Sequence, residues 1–374
     1  MEMRRCLTLV AALLLGIVVH AQSFTEQEVS LTIAREPALD TMQLAGTLTM
    51  PTNVRKKVPA VILITGSGAQ NRDEELMGHK PFKVIAEYLS ARGYAVLRCD
   101  DRGVGKSTGD MVHATTLDFA QDVVFQLDYL LRKPELFDPQ RIFLFGHSEG
   151  ATVAAIVAAR RAEVAGVAML GGAGDDGETI LLQQNEALFR LRGVADSLIE
   201  RRLACMRDLF AVCDTLFLGE GMDTVKMLNM AFRPLFKQHA AGLTKEQKQQ
   251  CGLTNTECYG WAVSMATPWL TTFLTLNPAD YIAKMRCPLL AIGGEKDCQV
   301  LAEANLSAIK RVCKKNRVKC SIVQLKGINH LGQMCETGSV DEYATLGQAP
   351  CDMVLETLVN WLDSIAKPSK RTKQ

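Results

Sequence analysis

RIFLFGHSEGATVAAIVAA, residues 141–159, runs from a compact apolar segment through Gly146-His147-Ser148-Glu149-Gly150 into an alanine-rich one. Ile142 to Phe145 reads as a buried strand and Ala151 to Ala159 as a helix, alanine being the strongest helix former. A serine stands at the junction, with glycine two residues before it and two after. A nucleophilic serine has to clear the sheet with its hydroxyl facing substrate. A sharp strand-to-helix turn achieves this, but it crowds the positions two residues to either side, where only very small residues fit. The helix that follows aims its N-terminus at the serine, which favours developing negative charge there.

A serine in this role needs a base, and the base needs an acid to orient it. On a strand-turn-helix elbow the chain order is Ser, then acid, then His. His330 lies just past the last predicted strand, in Leu325-Lys326-Gly327-Ile328-Asn329-His330, and is the candidate base. The segment Pro288-Leu-Leu-Ala-Ile-Gly-Gly-Glu-Lys-Asp297 offers two acids. Asp297 is favoured because the glycine turn carries it further out, and Glu295 is the alternative. An oxyanion hole needs two backbone N–H groups. Glu149 would supply one, and Ser67 in Thr65-Gly66-Ser67-Gly68 the other. No Lys-Ser/Thr follows that glycine loop, so a nucleotide phosphate cradle is excluded.

Eight β-type runs are expected: Val29 to Ala34, Leu44 to Met50, Pro59 to Thr65, Tyr94 to Cys99, Arg141 to Phe145, Val164 to Leu170, Pro288 to Ile292 and Cys320 to Leu325. The first two suit an antiparallel hairpin. The others are near-continuously apolar, as in a parallel sheet buried on both faces. Helical patterns alternate with them at Pro81 to Ala91, Leu117 to Leu131, Ala151 to Ala159, Ala302 to Val312 and Met353 to Leu362. The alternation predicts an α/β fold with an eight-stranded, mostly parallel sheet flanked by helices. After the sixth strand comes a long stretch that reads only as helices, among them a single helix over Trp261 to Leu276. The expected organisation is a core of residues 22–174 and 279–366, with a helical cap of 175–278 between them. Residues 367–374 form a polar basic tail, expected to be disordered.

The chain has 374 residues, 48% apolar and 22% charged, with net charge +1, as a folded globular protein should. No basic block is interleaved with aromatics, so nucleic acid is not an expected partner. Arg4 and Arg5 precede an apolar run from Leu7 to Val19, too short to span a bilayer, and Val19-His20-Ala21 suits a signal peptidase. Residues 1–21 are therefore expected to be a signal peptide. Cleavage near Ala21 would give an exported chain, periplasmic or secreted, with no stable membrane span; a retained N-terminal anchor is the alternative. Twelve cysteines form no CxxC pair and no zinc spacing. Cys99 and Cys287 flank predicted core strands and are expected to be buried thiols. A disulfide between Cys298 and Cys335 is conceivable if the acid and histidine loops lie side by side, two unrelated thiols being an equal alternative.

These residues carry a family likeness. The chain resembles the α/β-hydrolase superfamily over essentially its whole mature length, with Ser148, Asp297 and His330 at the triad positions. The stretch from Asp101 to Ser107 resembles the arginine–glycine loop common after the fourth strand. More narrowly, Gly66 to Asp73, Lys80-Pro81-Phe82 and Gly294 to Asp297 resemble the EstD-like bacterial carboxylesterases. The resemblance implies an α/β-hydrolase fold, hydrolysis of small-molecule carboxylic esters through an acyl-enzyme, no metal and no organic cofactor. Asn71, Arg72 and Asp73 lie beside the expected oxyanion loop, to brace it or to shape a pocket. Gly332 and Ala151 depart from residues common in the narrower group, so substrate choice does not carry over. The rival readings are a thioesterase or serine peptidase on the same triad and, more remotely, a non-catalytic binding protein.

Overall fold

Apolar runs with no polar interruption need cover on both faces, and the computed structural model provides it. The structure describes residues 23–35, 40–52, 54, 56–215 and 223–366. The expected signal peptide and basic tail lie outside these residues.

Strands β1 (Phe24–Arg35), β2 (Asp40–Pro51), β3 (Val58–Ile64), β4 (Ala95–Cys99), β5 (Phe137–His147), β6 (Val164–Leu170), β7 (Leu289–Gly294) and β8 (Cys320–Leu325) form one sheet. Their order is β1-β2-β4-β3-β5-β6-β7-β8. β1 and β2 pair antiparallel, as do β2 and β4, and every other pairing is parallel. The fold is that of an α/β hydrolase, and all eight expected strands are present.

The period-two geometry of a strand sends alternate side chains into different layers. In β3, Ala60, Ile62 and Ile64 join one apolar cluster, while Val61 and Leu63 join the other. The first layer packs against α2 (Thr116–Leu131), α3 (Glu149–Arg160) and α11 (Ala302–Asn316). The second packs against α1 (Pro81–Ser90) and α12 (Asp352–Ala366). Local signals set the helix starts. Pro81 supplies the fixed φ of a first helical turn, and Thr115 with Asp118 forms a capping box for α2.

Between β6 and β7 lie α4 (Gly177–Leu191), α5 (Asp196–Thr215), α6 (Thr224–His239), α7 (Lys245–Gln250), α8 (Asn255–Met265), α9 (Pro268–Thr275) and the short α10 (Pro278–Ile282). Residues of α4, α5, α6, α8 and α9 gather around an apolar cluster of their own, with Met206, Phe210, Phe232 and Met265 fully buried. The single helix expected over Trp261 to Leu276 is two. Pro268 lacks the N–H that would continue α8, and Thr267 caps the N-terminus of α9 by accepting from Leu270 N–H at 3.3 Å. Of the two alternatives for Cys298 and Cys335, a bridge or unrelated thiols, the structure has the thiols. Cys298 donates its thiol to Gly338 O at 3.0 Å and Cys335 to Gly327 O at 3.4 Å, so each sulfur is turned onto the backbone of a neighbouring loop. Cys99 and Cys287 are buried thiols, and burial pushes Cys287 up to about 11.

The edge hairpin is tied to the rest by buried arginines. Arg98 on β4 is 3% exposed and donates to Asp73 at 2.9 Å, Thr49 at 2.7 Å and Glu26 at 2.8 Å. Arg98→Ala should destabilise the fold by about 3 kcal/mol, since it removes a buried side chain together with the charge partner of the partly buried Asp73 and the exposed Glu26. A urea midpoint unchanged from wild type would refute that role.

Candidate active site

The last turn of β5 delivers the serine. Gly146 and His147 close the strand, α3 opens at Glu149, and Ser148 sits between them at φ 52° and ψ −120°. That left-handed backbone is strained for a residue with a Cβ. Ser148 N–H donates to Leu170 O at 2.9 Å, which fixes the elbow to β6. The flanking glycines have no room to be anything else. A Cβ on Gly146 would lie 2.1 Å from Gly150 O, and one on Gly150 would lie 2.1 Å from Ile64 O.

The expected acid and base meet. His330 Nδ1 lies 2.7 Å from Asp297 Oδ2, and both side chains are buried. Asp297 Oδ1 accepts from Gln299 N–H at 2.9 Å and Val300 N–H at 2.8 Å, so its carboxylate is oriented before it meets the imidazole. Glu295 points elsewhere. Its Oε2 accepts from Gly327 N–H at 2.9 Å and steadies the loop leading to His330. Of the two candidate acids, the structure pairs Asp297 with His330.

Ser148, His330, Ser67 and Glu149 line one cavity of about 260 Å³. The inserted helices contribute Ile180, Leu181, Gln184, Trp269 and Phe273 to its wall. The indole of Trp269 stacks on Phe273 with ring centroids 5.4 Å apart, and donates to the Glu149 carboxyl at 2.9 Å. That carboxyl also accepts from Thr116 Oγ1 at 2.6 Å. Burial raises the Glu149 pKa above the ordinary carboxylate range, and the Thr116, Trp269 and Ser67 hydrogen bonds oppose this.

Asn71, Arg72 and Asp73 do not line the cavity. Asn71 Oδ1 accepts from Asp73 N–H at 3.0 Å and Glu75 N–H at 3.2 Å. Arg72 grips Asp100 through Nε at 3.0 Å and an Nη at 2.8 Å, and Asp73 meets Arg98. The loop is pinned again where Asp101 accepts from Thr65 Oγ1 at 2.7 Å and Gln70 N–H at 2.9 Å, with burial pushing Asp101 up to about 7. All three therefore brace the loop that presents Ser67. Among the described residues, no three His, Cys, Asp or Glu side chains are grouped to hold a metal ion.

Several site residues were not picked out from the sequence. Gly171, at φ 59°, has no room for a Cβ, which would lie 2.8 Å from His330 Nδ1. Glu74 and His147 form a buried pair 2.9 Å apart beside the serine. Phe273 faces the cavity beside Trp269, a cap aromatic that the sequence does suggest as apolar lid surface. A glycine at a strand end was the one available signal for Gly171.

Residues 80–330 match the hydrolase family described as serine aminopeptidase, S33. Esterase EstD of Thermotoga maritima is 34% identical over 128 residues, which is 34% of this chain and 30% of that protein. The chain thus matches about a third of that relative's length. Two solved structures share the fold. The structure of DcsB in complex with its substrate analogue has a TM-score of 0.53 at 15% identity, covering 92% of this chain and all of that one. Protein PA2218 of Pseudomonas aeruginosa has a TM-score of 0.51 at 15% identity, covering 92% and 94%.

Two outcomes follow. Gly150→Ala should cost about 3 kcal/mol, the upper range for overpacking, and remove activity; a normal melting temperature would contradict the elbow geometry. Glu149→Gln should be more stable relative to wild type at pH 8 than at pH 4. A carboxyl whose folded pKa is raised contributes most below its unfolded pKa and loses that contribution as pH rises through the folded one. Parallel melting curves at the two pH values would disprove it.

Proposed function

Because this chain belongs to the serine aminopeptidase S33 family of hydrolases, we propose that it is an exported serine hydrolase that cleaves carboxylic esters. The observation that carries the reading is the 2.7 Å contact of Asp297 with His330, in a cavity that the strained Ser148 elbow also enters. In this mechanism Ser148 Oγ attacks the ester carbonyl as His330 takes its proton. Asp297 holds the imidazole tautomer and stabilises the imidazolium. The N–H groups of Ser67 and Glu149 receive the oxyanion. His330 then protonates the leaving alcohol, and water resolves the acyl-enzyme by the same steps. The similarity to an esterase over 128 residues supports ester over amide chemistry.

The inserted helices act as a cap, with Trp269 and Phe273 forming the apolar wall over the acyl group. A cavity of about 260 Å³ lies just below the roughly 300–1,000 Å³ usual for drug-sized ligands and suits short to medium acyl chains. Export by the N-terminal segment, with cleavage near Ala21, belongs to the same proposal.

The second reading, a serine peptidase, is favoured by the aminopeptidase in the family's description. A panel of nitrophenyl esters of increasing acyl length, run beside amino-acid anilides, separates the two. The expected result is turnover of short-chain esters and none of the anilides, and the reverse would establish the peptidase. Ser148→Ala should lower kcat by roughly a million-fold. Asp297→Asn should lower it by about ten-thousand-fold. Trp269→Ala should shift the optimum to longer acyl chains. Full activity in Ser148→Ala, or failure of a fluorophosphonate to label Ser148, would end the reading.

A further inference from the structure

A second acid–histidine pair lies beside the site, and the proposed chemistry gives it no step. Glu74 is 3% exposed and His147, the residue before Ser148, is 6% exposed. Glu74 Oε1 lies 2.9 Å from His147 Nδ1 and also accepts the Gly66 backbone N–H at 2.7 Å. His147 Nε2 lies 3.0 Å from the carbonyl oxygen of His330. The two histidine rings are 4.8 Å apart.

The proton inventory requires one shared proton within the pair. A carbonyl oxygen only accepts, so His147 Nε2 carries a hydrogen. A neutral imidazole has one N–H, and its Nδ1 would then turn a lone pair on a carboxylate oxygen. A proton between Nδ1 and Oε1 removes the clash; held on Nδ1, as the raised His147 pKa favours, it makes the ring an imidazolium facing a carboxylate. Glu74 Oε2 is buried with no hydrogen-bond partner among the described residues, which leaves His147 as the only cation in contact with that carboxylate. Burial alone would lower the His147 pKa, but Glu74 and the His330 carbonyl raise it above the usual histidine value, and Asp297 acts in the same direction. Glu74 holds a left-handed backbone, φ 50°, to reach this position.

We propose that Glu74 and His147 are positioning residues, a buried charge pair that clamps the oxyanion loop at Gly66 to the backbone of His330 across the strand end carrying Ser148. The inference rests on the reading of Ser148 as nucleophile and His330 as base. One pair then sets both the height of the donor at Ser67 and the approach of the imidazole. Misplacement by about 1 Å costs roughly 100-fold in rate.

The clamp is present below the folded-state pKa of His147 and is lost as pH rises through it. Wild-type kcat should therefore fall on an alkaline limb that belongs to His147. Glu74→Gln keeps an acceptor for Gly66 but removes the charge that holds the imidazolium. It should lower kcat about tenfold with KM within about twofold, and move the alkaline limb to lower pH. Glu74→Ala should lower kcat about 100-fold. A folded Glu74→Gln with wild-type kcat and an unmoved limb overturns the proposal. A rise in KM at constant kcat also overturns it, by making Glu74 a substrate contact. If neither variant folds, nitrogen NMR of histidine-labelled wild-type protein at pH 7 decides. Two protonated ring nitrogens on His147 support the clamp, and one refutes it. Ser148→Ala run alongside keeps the two readings apart. If that variant is inactive while Glu74→Gln is normal, the clamp alone fails. If Ser148→Ala is active, the underlying reading fails.

Discussion

Between β5 and α3 two backbones approach so closely that a single methyl group has nowhere to go. Gly146 abuts the carbonyl of Gly150, and Gly150 abuts that of Ile64 on the neighbouring strand. The turn is tight because both ends are fixed, the strand by its parallel partners β3 and β6, and Ser148 N–H by Leu170 O. Strain at Ser148 is therefore not relieved by local motion. The surrounding sheet holds it, as over-determined strain at functional sites requires. Gly171 and Gly294 are crowded in the same way at the ends of β6 and β7, where the His330 ring and the Ile328 carbonyl approach. Glycine at the ends of β5, β6 and β7 and in the first turn of α3 is what lets the loops crowd together there.

A second layer of organisation is electrostatic. The loop after β3 has no helix to hold it, and it is pinned by acids and arginines at the end of β4: Asp100 to Arg72, Asp101 to Thr65 and Gln70, Arg98 to Asp73. The pairs are at most partly exposed, so each tether is worth more than a surface ion pair. A flexible glycine loop becomes a fixed donor platform without secondary structure of its own.

Much of this was legible in the sequence because its signal is local. Apolar runs marked the buried strands, and the glycine spacing marked the elbow. Chain order then found His330 and narrowed the acid to two positions, but the choice between Asp297 and Glu295 depended on which carboxylate the loop turns inward. Glu74 and His147 are 73 residues apart, so no local pattern marked them as partners. Pro268 could have been read as a break in the helix spanning it; the long apolar stretch around it masked that. The pairing of Cys298 with Cys335 stayed open for the opposite reason. Neighbouring loops put Cys298 and Cys335 in the same region, while the orientation of each thiol was fixed by backbone carbonyls that no pattern reveals.

The inserted helices keep an apolar cluster drawn entirely from their own residues; Trp269 to Glu149 and Asn305 to Gln183 link them to the sheet layers, and Leu276 and Ile282 at the end of the insertion pack into the sheet's own cluster. A segment with a core of its own can be repacked inside with little effect on the sheet beneath it. Substitutions inside its cluster are absorbed within the cluster, so its shape can drift while the strand ends and their glycines stay fixed. Repacking that cluster would reshape the cavity wall that carries Trp269 and Phe273 and leave the strand ends as they are.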